Sequence, residues 1–262
     1  MVDRPMVCLR LIACAFIGFL SLAGAGLEER TLAMQTNEDT ISATGGDIRI
    51  TPIMHASVQV EHAGKVIHID PWSKGDYSKA KPADLILVTD IHGDHLDPAA
   101  IAKIRKPGTL IVAPAAVAAK LDGTTVLANG ERKEVAGILI EAVPMYNLQR
   151  GPAAGQLYHT KGRGNGYILT LGGKRLYFSG DTECVPELKN LKNIDVAFMT
   201  MNLPYTMPPV EAAECVKAFK PKIVYPYHFR ESKLEEFTSA LKGQPIEVRI
   251  RNWYPAQASG GR

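Results

Sequence analysis

The chain has 262 residues, 46% of them hydrophobic and 22% charged, which is enough to bury one sizeable core. Its 30 basic and 27 acidic residues leave a formal charge of +3, with no basic run gathered into a patch for a nucleic-acid partner. Four cysteines are too few for a disulfide scaffold, and 23 Gly with 17 Pro exclude a collagen-like or mainly disordered chain.

Arg4 and Arg10 flank the start of Leu11–Leu22, an apolar run of 12 residues, and Ala23-Gly24-Ala25 follows with the small-x-small spacing of a cleavage site. A permanent span needs about 20 apolar residues. Residues 1–25 are therefore predicted to be a secretory leader. The protein is expected to be exported, periplasmic or secreted, with no stable membrane span once the leader is removed. Cys8 and Cys14 leave with it. Cys184 and Cys215 remain, and an oxidising compartment permits a bond between them without demanding one. Residues 26–46 are polar and weakly patterned and read as a mobile lead-in. One domain over residues 47–255 follows.

That domain alternates between strand and helix patterns. Ile48–Ile53 and Ser57–Glu61 alternate apolar and polar residues as half-buried strands do, and Val66–Ile69 completes a meander. Leu85–Thr89 is a continuous apolar run suited to a strand covered on both faces. Asp97-Pro98 predicts a helix start, with Asp as N-cap and Pro in the first turn. Leu110–Val112 reads as a strand and Ala115–Leu121 as a helix. Gly172-Gly173, between Tyr167–Leu171 and Arg175–Phe178, predicts a tight hairpin. Strands at Asp195–Met199, Ile223–Tyr225 and Glu247–Ile250 are separated by helices at Val210–Phe219 and Lys233–Leu241. Strands then helices, in two successive halves, imply an α/β (α+β) domain of packed sheets with helices outside.

Chemistry concentrates in Thr89-Asp90-Ile91-His92-Gly93-Asp94-His95-Leu96-Asp97, directly after a buried strand. A strand's carboxyl end is where such folds place ligand groups. If the segment stays extended, Asp90, His92 and Asp94 point to a common side, and His95 adds a neighbouring direction. Imidazoles and carboxylates at this density are ligands for zinc, manganese or iron. A solvated polar turn is the other reading of these residues.

The segment resembles the metallo-β-lactamase superfamily signature Thr-His-x-His-x-Asp-His, with Asp90 in the first His position. The resemblance continues to His159, to Asp181 in Ser179-Gly180-Asp181-Thr182, and to His228 after Ile223–Tyr227, and so spans roughly residues 48 to 250. His55-Ala56-Ser57 and Asp70-Pro71-Trp72 resemble the branch containing ascorbate-phosphate lactonase and N-acyl phosphatidylethanolamine phospholipase D. The resemblance implies a four-layer αββα sandwich and one or two divalent ions, most often Zn²⁺; the hard carboxylate of Asp90, where this chain departs from the signature, admits Mn²⁺ or Fe²⁺ as alternatives. It assigns Asp90, His92 and His159 to one ion, Asp94, His95 and His228 to the other, and Asp181 between them. The implied reaction is hydrolysis of a small-molecule ester, lactone or phosphodiester by a metal-activated water, with Asp94 and Asp181 in the catalytic apparatus.

Each of these residues also has a plainer reading. His228 fits a hydrogen-bonded core histidine, Asp181 a turn cap, and His159 a surface histidine in a Gly-rich loop. His55 divides between support of a ligand and an ordinary strand position. Lys161, Arg163 and Asn165 are placed to grip an anionic substrate group, or are loop residues in water. Cys184 reads as a small packed residue rather than a soft ligand. A metal-centre redox protein and a metal-binding protein without turnover are the competing functions. The redox reading calls for a flavin-binding domain that this chain lacks, and the silent one for full metal occupancy without ester turnover. Sequence leaves the substrate, the oligomeric state and the number of ions open.

Overall fold

A computed structural model describes residues 1–2 and 37–255, so all but the first two residues of the expected leader lie outside the described residues. The chain enters the fold at β1 (Asp39–Ile41), followed by β2 (Ile48–Met54), β3 (Ser57–His62), β4 (Lys65–Ile69) and β5 (Ala83–Leu87). Then come α1 (Pro98–Ile104), β6 (Arg105–Ala113), α2 (Ala115–Ala118) and β7 (Thr124–Val126). The second half runs β8 (Arg132–Val135), β9 (Ile138–Met145), β10 (Gly164–Leu171), β11 (Lys174–Phe178), α3 (Pro186–Lys189) and β12 (Val196–Thr200). It closes with α4 (Pro209–Phe219), β13 (Ile223–Tyr227), α5 (Leu234–Ala240) and β14 (Glu247–Val248).

Two seven-stranded sheets result, ordered β1 to β7 in one and β14 to β8 in the other. Both follow one plan. Antiparallel hairpins occupy one end, and parallel strands begin at the β4–β5 pair in the first sheet and the β11–β12 pair in the second. Alternation along each strand explains how the layers stack. Leu85 and Leu87 of β5 face the other sheet, together with Val196 and Phe198 of β12. The intervening Ile86, with Val88 just beyond the strand, packs outward on Ile101 and Ile104 of α1 and Val117 of α2. On the far side Ala197 and Met199 meet Ala212, Val216 and Phe219 of α4 and Phe237 of α5. Three apolar layers between helix, sheet, sheet and helix make the αββα sandwich. The Phe178, Phe198 and Tyr225 rings stack at 4.4 and 4.9 Å in the middle layer, and burying such a side chain is worth about 2–3 kcal/mol.

Local signals hold where they are strong. Asp97 caps α1 by accepting from Ala99 N and Ala100 N at 2.9 and 3.1 Å. Gly172 and Gly173 both take positive φ, 51° and 78°, as a two-residue hairpin turn requires. Residues 26–36 of the expected lead-in also lie outside the described residues, and the reading of 37–46 needs correction. Asp39–Ile41 pairs antiparallel with Ile48–Ile50, Ile41 is buried, and Asp39 Oδ1 accepts from Arg251 Nη2 at 2.6 Å. Three residues with a long-range ion pair carry too little local pattern to announce a strand. Strands β8 and β9 were also not anticipated; Pro144 near the end of β9 obscures its alternation. The helix after β6 is shorter than its pattern, ending at Ala118. Among the described residues, no helix is long and apolar enough to cross a membrane.

Candidate metal centre

Asp70, directly after β4, starts the site. Its carboxylate accepts Thr89 N at 2.7 Å and the Thr89 hydroxyl at 2.6 Å, pinning the chain as it leaves β5. The segment beyond is not extended. His95 N and Leu96 N both donate to His92 O, at 3.0 and 2.7 Å, closing a turn. That turn overturns the expectation of a common side for Asp90, His92 and Asp94: His92 Nδ1 lies 2.9 Å from Asp90 Oδ2, while Asp94 turns toward His55 and His228. It also carries His95 back under Asp70, whose Oδ2 lies 2.8 Å from His95 Nδ1. A carboxylate on Nδ1 fixes the proton there and leaves the Nε2 lone pair free.

The second sheet supplies Asp181 and His228. Asp181 follows β11 through Gly180, whose φ is 59° and whose N donates to the Tyr227 hydroxyl at 3.0 Å. A Cβ at Gly180 would come within 2.4 Å of Met145 Sδ, so the turn admits only glycine. His228 follows β13, and its backbone N donates to His55 O at 3.1 Å. His55, Asp70 and His228 all hold positive φ, 59°, 45° and 49°. Left-handed backbone at non-glycine residues costs of order 1–3 kcal/mol each and persists where surrounding structure enforces it, often at functional sites. His159 arrives on the loop between β9 and β10. Asn147 Oδ1 accepts its backbone N at 2.8 Å and its Nδ1 at 2.7 Å, again leaving Nε2 free. Buried Glu183 holds Asn147 Nδ2 at 3.0 Å and Arg150 N at 2.8 Å, fixing that loop to the one carrying Asp181.

The ligand atoms converge. His95 Nε2 and His159 Nε2 stand 3.4 and 3.3 Å from Asp181 Oδ2, and His228 Nε2 stands 3.3 Å from Asp181 Oδ1. Ligand atoms of His95, Asp181 and His228 lie within 4.8 Å of one another, as do those of Asp90, His92 and His159, and of His55, Asp94 and His228. His95 Nε2, His159 Nε2, His228 Nε2 and Asp181 Oδ1 are buried without a hydrogen-bond partner. Orphaned buried polar atoms are costly and rare; four aimed at one place fit a divalent cation.

Electrostatics agree. Burial disfavours an ionised Asp181, but His228 and His95 outweigh it and hold the carboxylate far below its usual range. Burial likewise opposes a positive charge on His95, yet Asp181, Asp70 and Asp94 together favour one and drive its pKa well up, so a cation bound at Nε2 would take the place of that proton. Burial and the nearby His228 ring push His55 down to about 3, so it is neutral near pH 7. Its Nδ1 lies 2.6 Å from the Tyr254 hydroxyl, its Nε2 lies 3.2 Å from Asp94 Oδ2, and its ring stacks on His228 at 3.6 Å. His55 is thus a strut for Asp94 and His228.

Three expected substrate contacts are otherwise engaged. Arg163 donates from Nε and Nη2 to the two oxygens of Asp90, at 3.0 and 2.8 Å. Lys161 Nζ pairs with Glu187 at 2.5 Å on the surface. Asn165 is buried in the sheet, donating to Leu127 O at 2.7 Å and accepting from Asn129 Nδ2 at 2.6 Å, because its place at the start of β10 turns it into the sandwich. Cys184 and Cys215 form a disulfide, joining the segment after Asp181 to α4. Asp70, Asn147, Glu183 and Tyr254 were not assigned roles from sequence. Asp-Pro-Trp at 70–72 was the one visible sign among them.

A sandwich carrying such a cluster at one edge defines a metalloprotein whose ligands come from both sheets. A family model for the beta-lactamase superfamily domain matches residues 49–228. A UPF0173 metal-dependent hydrolase of Pyrococcus abyssi is 34% identical over 198 residues, 70% of this chain and 84% of that one. A crystal structure from Parabacteroides distasonis, described as a candidate metal-dependent hydrolase, is 43% identical with a TM-score of 0.78, covering 83% of this chain and 99% of that one. A metallo hydrolase of Ignicoccus hospitalis shares the fold at 24% identity, with a TM-score of 0.65 and coverage of 78% and 94%. The chain therefore belongs to the β-lactamase superfamily, as a metal-dependent hydrolase.

Proposed function

We propose that this chain is an exported hydrolase that cleaves an ester, lactone or phosphodiester bond in a small molecule. The observation that carries this reading is the convergence of four buried, unpartnered ligand atoms from His95, His159, His228 and Asp181. Zn²⁺ is the ion we assign by donor type, with Mn²⁺ and Fe²⁺ as hard-ligand alternatives given the number of carboxylates. When bound, such an ion supplies Lewis acidity to the scissile carbonyl or phosphoryl group and acidifies water toward a pKa of about 7.

The chain's own residues orient and exclude. Asp70 and Asn147 hold two imidazoles in the ligating tautomer. Asp94, with its side chain 20% exposed, is the most open carboxylate of the cluster. Steadied by His55, it is the residue we assign to receive a proton from the attacking water. A cleft of about 490 Å³ contains Phe229 and Arg230, the two residues after His228, with Leu203 and Pro208. It is within the size range of small-molecule sites.

Export is supported by the short apolar run before Ala23-Gly24-Ala25 and by the Cys184–Cys215 disulfide, a bond that persists in oxidising compartments. Intact mass of exported protein checks it: cleavage near Ala25 is the expected result, and a full-length mass in the membrane fraction contradicts it. For the activity, chelated protein is reloaded with Zn²⁺, Mn²⁺ or Fe²⁺ and offered nitrophenyl esters, lactones and bis-nitrophenyl phosphate. Metal-restored turnover of one class is expected. Full metal occupancy with no turnover of any class overturns the reading.

A further inference from the structure

The cluster has two ends in different states. At one end the Asp90 side chain is fully buried, and three donors already address its two oxygens. Arg163 Nε donates to Oδ1 at 3.0 Å and Nη2 to Oδ2 at 2.8 Å, while His92 Nδ1 stands 2.9 Å from the same Oδ2. This is the two-pronged match of a planar guanidinium to a carboxylate. A carboxylate offers about four lone-pair positions, so Asp90 is nearly saturated. At the other end His95 Nε2, His228 Nε2 and Asp181 Oδ1 are equally buried and have no partner. His159 stands between, its Nε2 3.3 Å from Asp181 Oδ2 and 3.9 Å from Asp90 Oδ2.

We propose that the chain holds one tightly bound divalent ion, at His95, Asp181 and His228, and that the Arg163 guanidinium seated on Asp90 takes the place of a second. This rests on the metal-hydrolase reading above and deepens it. A guanidinium stays protonated at any pH a folded protein experiences, so it does not vacate Asp90 by losing its charge. An ion on Asp90 would have to share the carboxylate with that permanent cation or displace it into solvent. Neither cost applies at His95, Asp181 and His228. Asp90, in the first His position of the signature, and Arg163, 73 positions later, are on this account one device. The carboxylate is there to hold the arginine, and the arginine brings a fixed positive charge next to the ion without a second metal.

The test counts ions rather than turnover. Chelated full-length protein is titrated with Mn²⁺ and with Zn²⁺, and binding is followed by calorimetry and elemental analysis. The wild type is expected to take up one tight equivalent, with any second at least about 100-fold weaker. Arg163→Met removes the charge but keeps an apolar stem, and should open a second site comparable to the first. Arg163→Lys keeps a cation and should stay at one. Two equivalents of similar affinity in the wild type overturn the proposal, as does a folded Arg163→Met protein that still takes one. Should Arg163→Met fail to fold, Mn²⁺ resonance spectra of the wild type decide alone. Isolated six-line signals with two equivalents of Mn²⁺ added support a single site, and a spin-coupled pair refutes it. A wild type that retains no ion at all would instead sink the metal-hydrolase reading itself, so the two failures are distinct.

Discussion

On one side of the cluster Asp90 is closed off by Arg163 and His92; on the other, His95, Asp181 and His228 present buried atoms that nothing in the protein satisfies. Both sides use the same residue types, and Asp90 is as deeply buried as Asp181, although His92 is more exposed than His95 and His228. What separates them is where the compensating charge comes from. The Asp90 side carries its own cation, so its carboxylate stays ionised, held down at about 2 by the His92 and Arg163 bonds against the opposing effect of burial. The Asp181 side is built to receive one, because burying a carboxylate without an adequate counter-charge is costly. Supporting parts differ accordingly. His95 is backed by the Asp70 carboxylate and Asp181 lies three residues before a disulfide, whereas His159 rests on the neutral amide of Asn147.

The largest effect expected from breaking this contrast is at Asp181. Asp181→Asn keeps the shape and removes the charge, and should lower kcat/KM by at least about 1,000-fold with loss of the ion. His92→Ala, on the satisfied and more exposed side, should cost far less; equal losses in the two variants would erase the distinction between the sides. Next in size is the staple behind Asp181. Replacing Cys184 and Cys215 together by Ala releases a link between positions 31 apart and should cost about 3–4 kcal/mol of stability. Denaturant unfolding measures it, and an unchanged midpoint would mean that the bond contributes nothing in solution.

A smaller effect sharpens the comparison through the supporting residues. Asp70→Asn presents an amide to His95 Nδ1 and favours the tautomer with its proton on Nε2, facing the ion. Metal affinity should fall about 10–100-fold. Asn147→Ala, behind His159, should change the affinity for the tight ion much less, and competition with a chromogenic chelator distinguishes them.

The smallest effect is a control away from both sides. His68 on β4 is buried, with Nε2 2.9 Å from Lys81 O, and burial pushes its pKa down to about 4. The unfolded chain binds the extra proton first, so the stability His68 contributes is complete above about pH 6.5 and is lost as pH falls toward 4. Between pH 7 and 5.5 the loss should be about 1 kcal/mol. His68→Gln should flatten that part of the stability profile without altering metal uptake. A slope identical to that of the wild type would assign the acid sensitivity elsewhere.

Much of this was legible in the chain because it is local. The continuous apolar run Leu85–Val88 states that β5 is covered on both faces, and Gly172-Gly173 states a hairpin, since both are properties of neighbouring residues. The density of His and Asp between 89 and 97 marked a ligand cluster after a buried strand, and the superfamily resemblance extended it to Asp181 and His228 and implied a site at one sheet edge. Edge strand β1 was not legible, because three residues gain their stability from Ile48–Ile50 and from Arg251, 212 positions from Asp39.

Sequence by itself determined the ligand types, the packing of sheets inside helices and the Gly172-Gly173 hairpin, since each follows from side-chain chemistry or from periodicities of two and 3.6 residues. Only the tertiary structure decided what those ligands face. It turned the segment after Thr89 back on itself, set Asp70 behind His95, moved Asn165 into the sandwich and laid Arg163 on Asp90. The physical reason is that a charge is paired through space. Whether a buried carboxylate keeps a protein cation or awaits a metal depends on a guanidinium 73 residues away, and no local pattern encodes that distance.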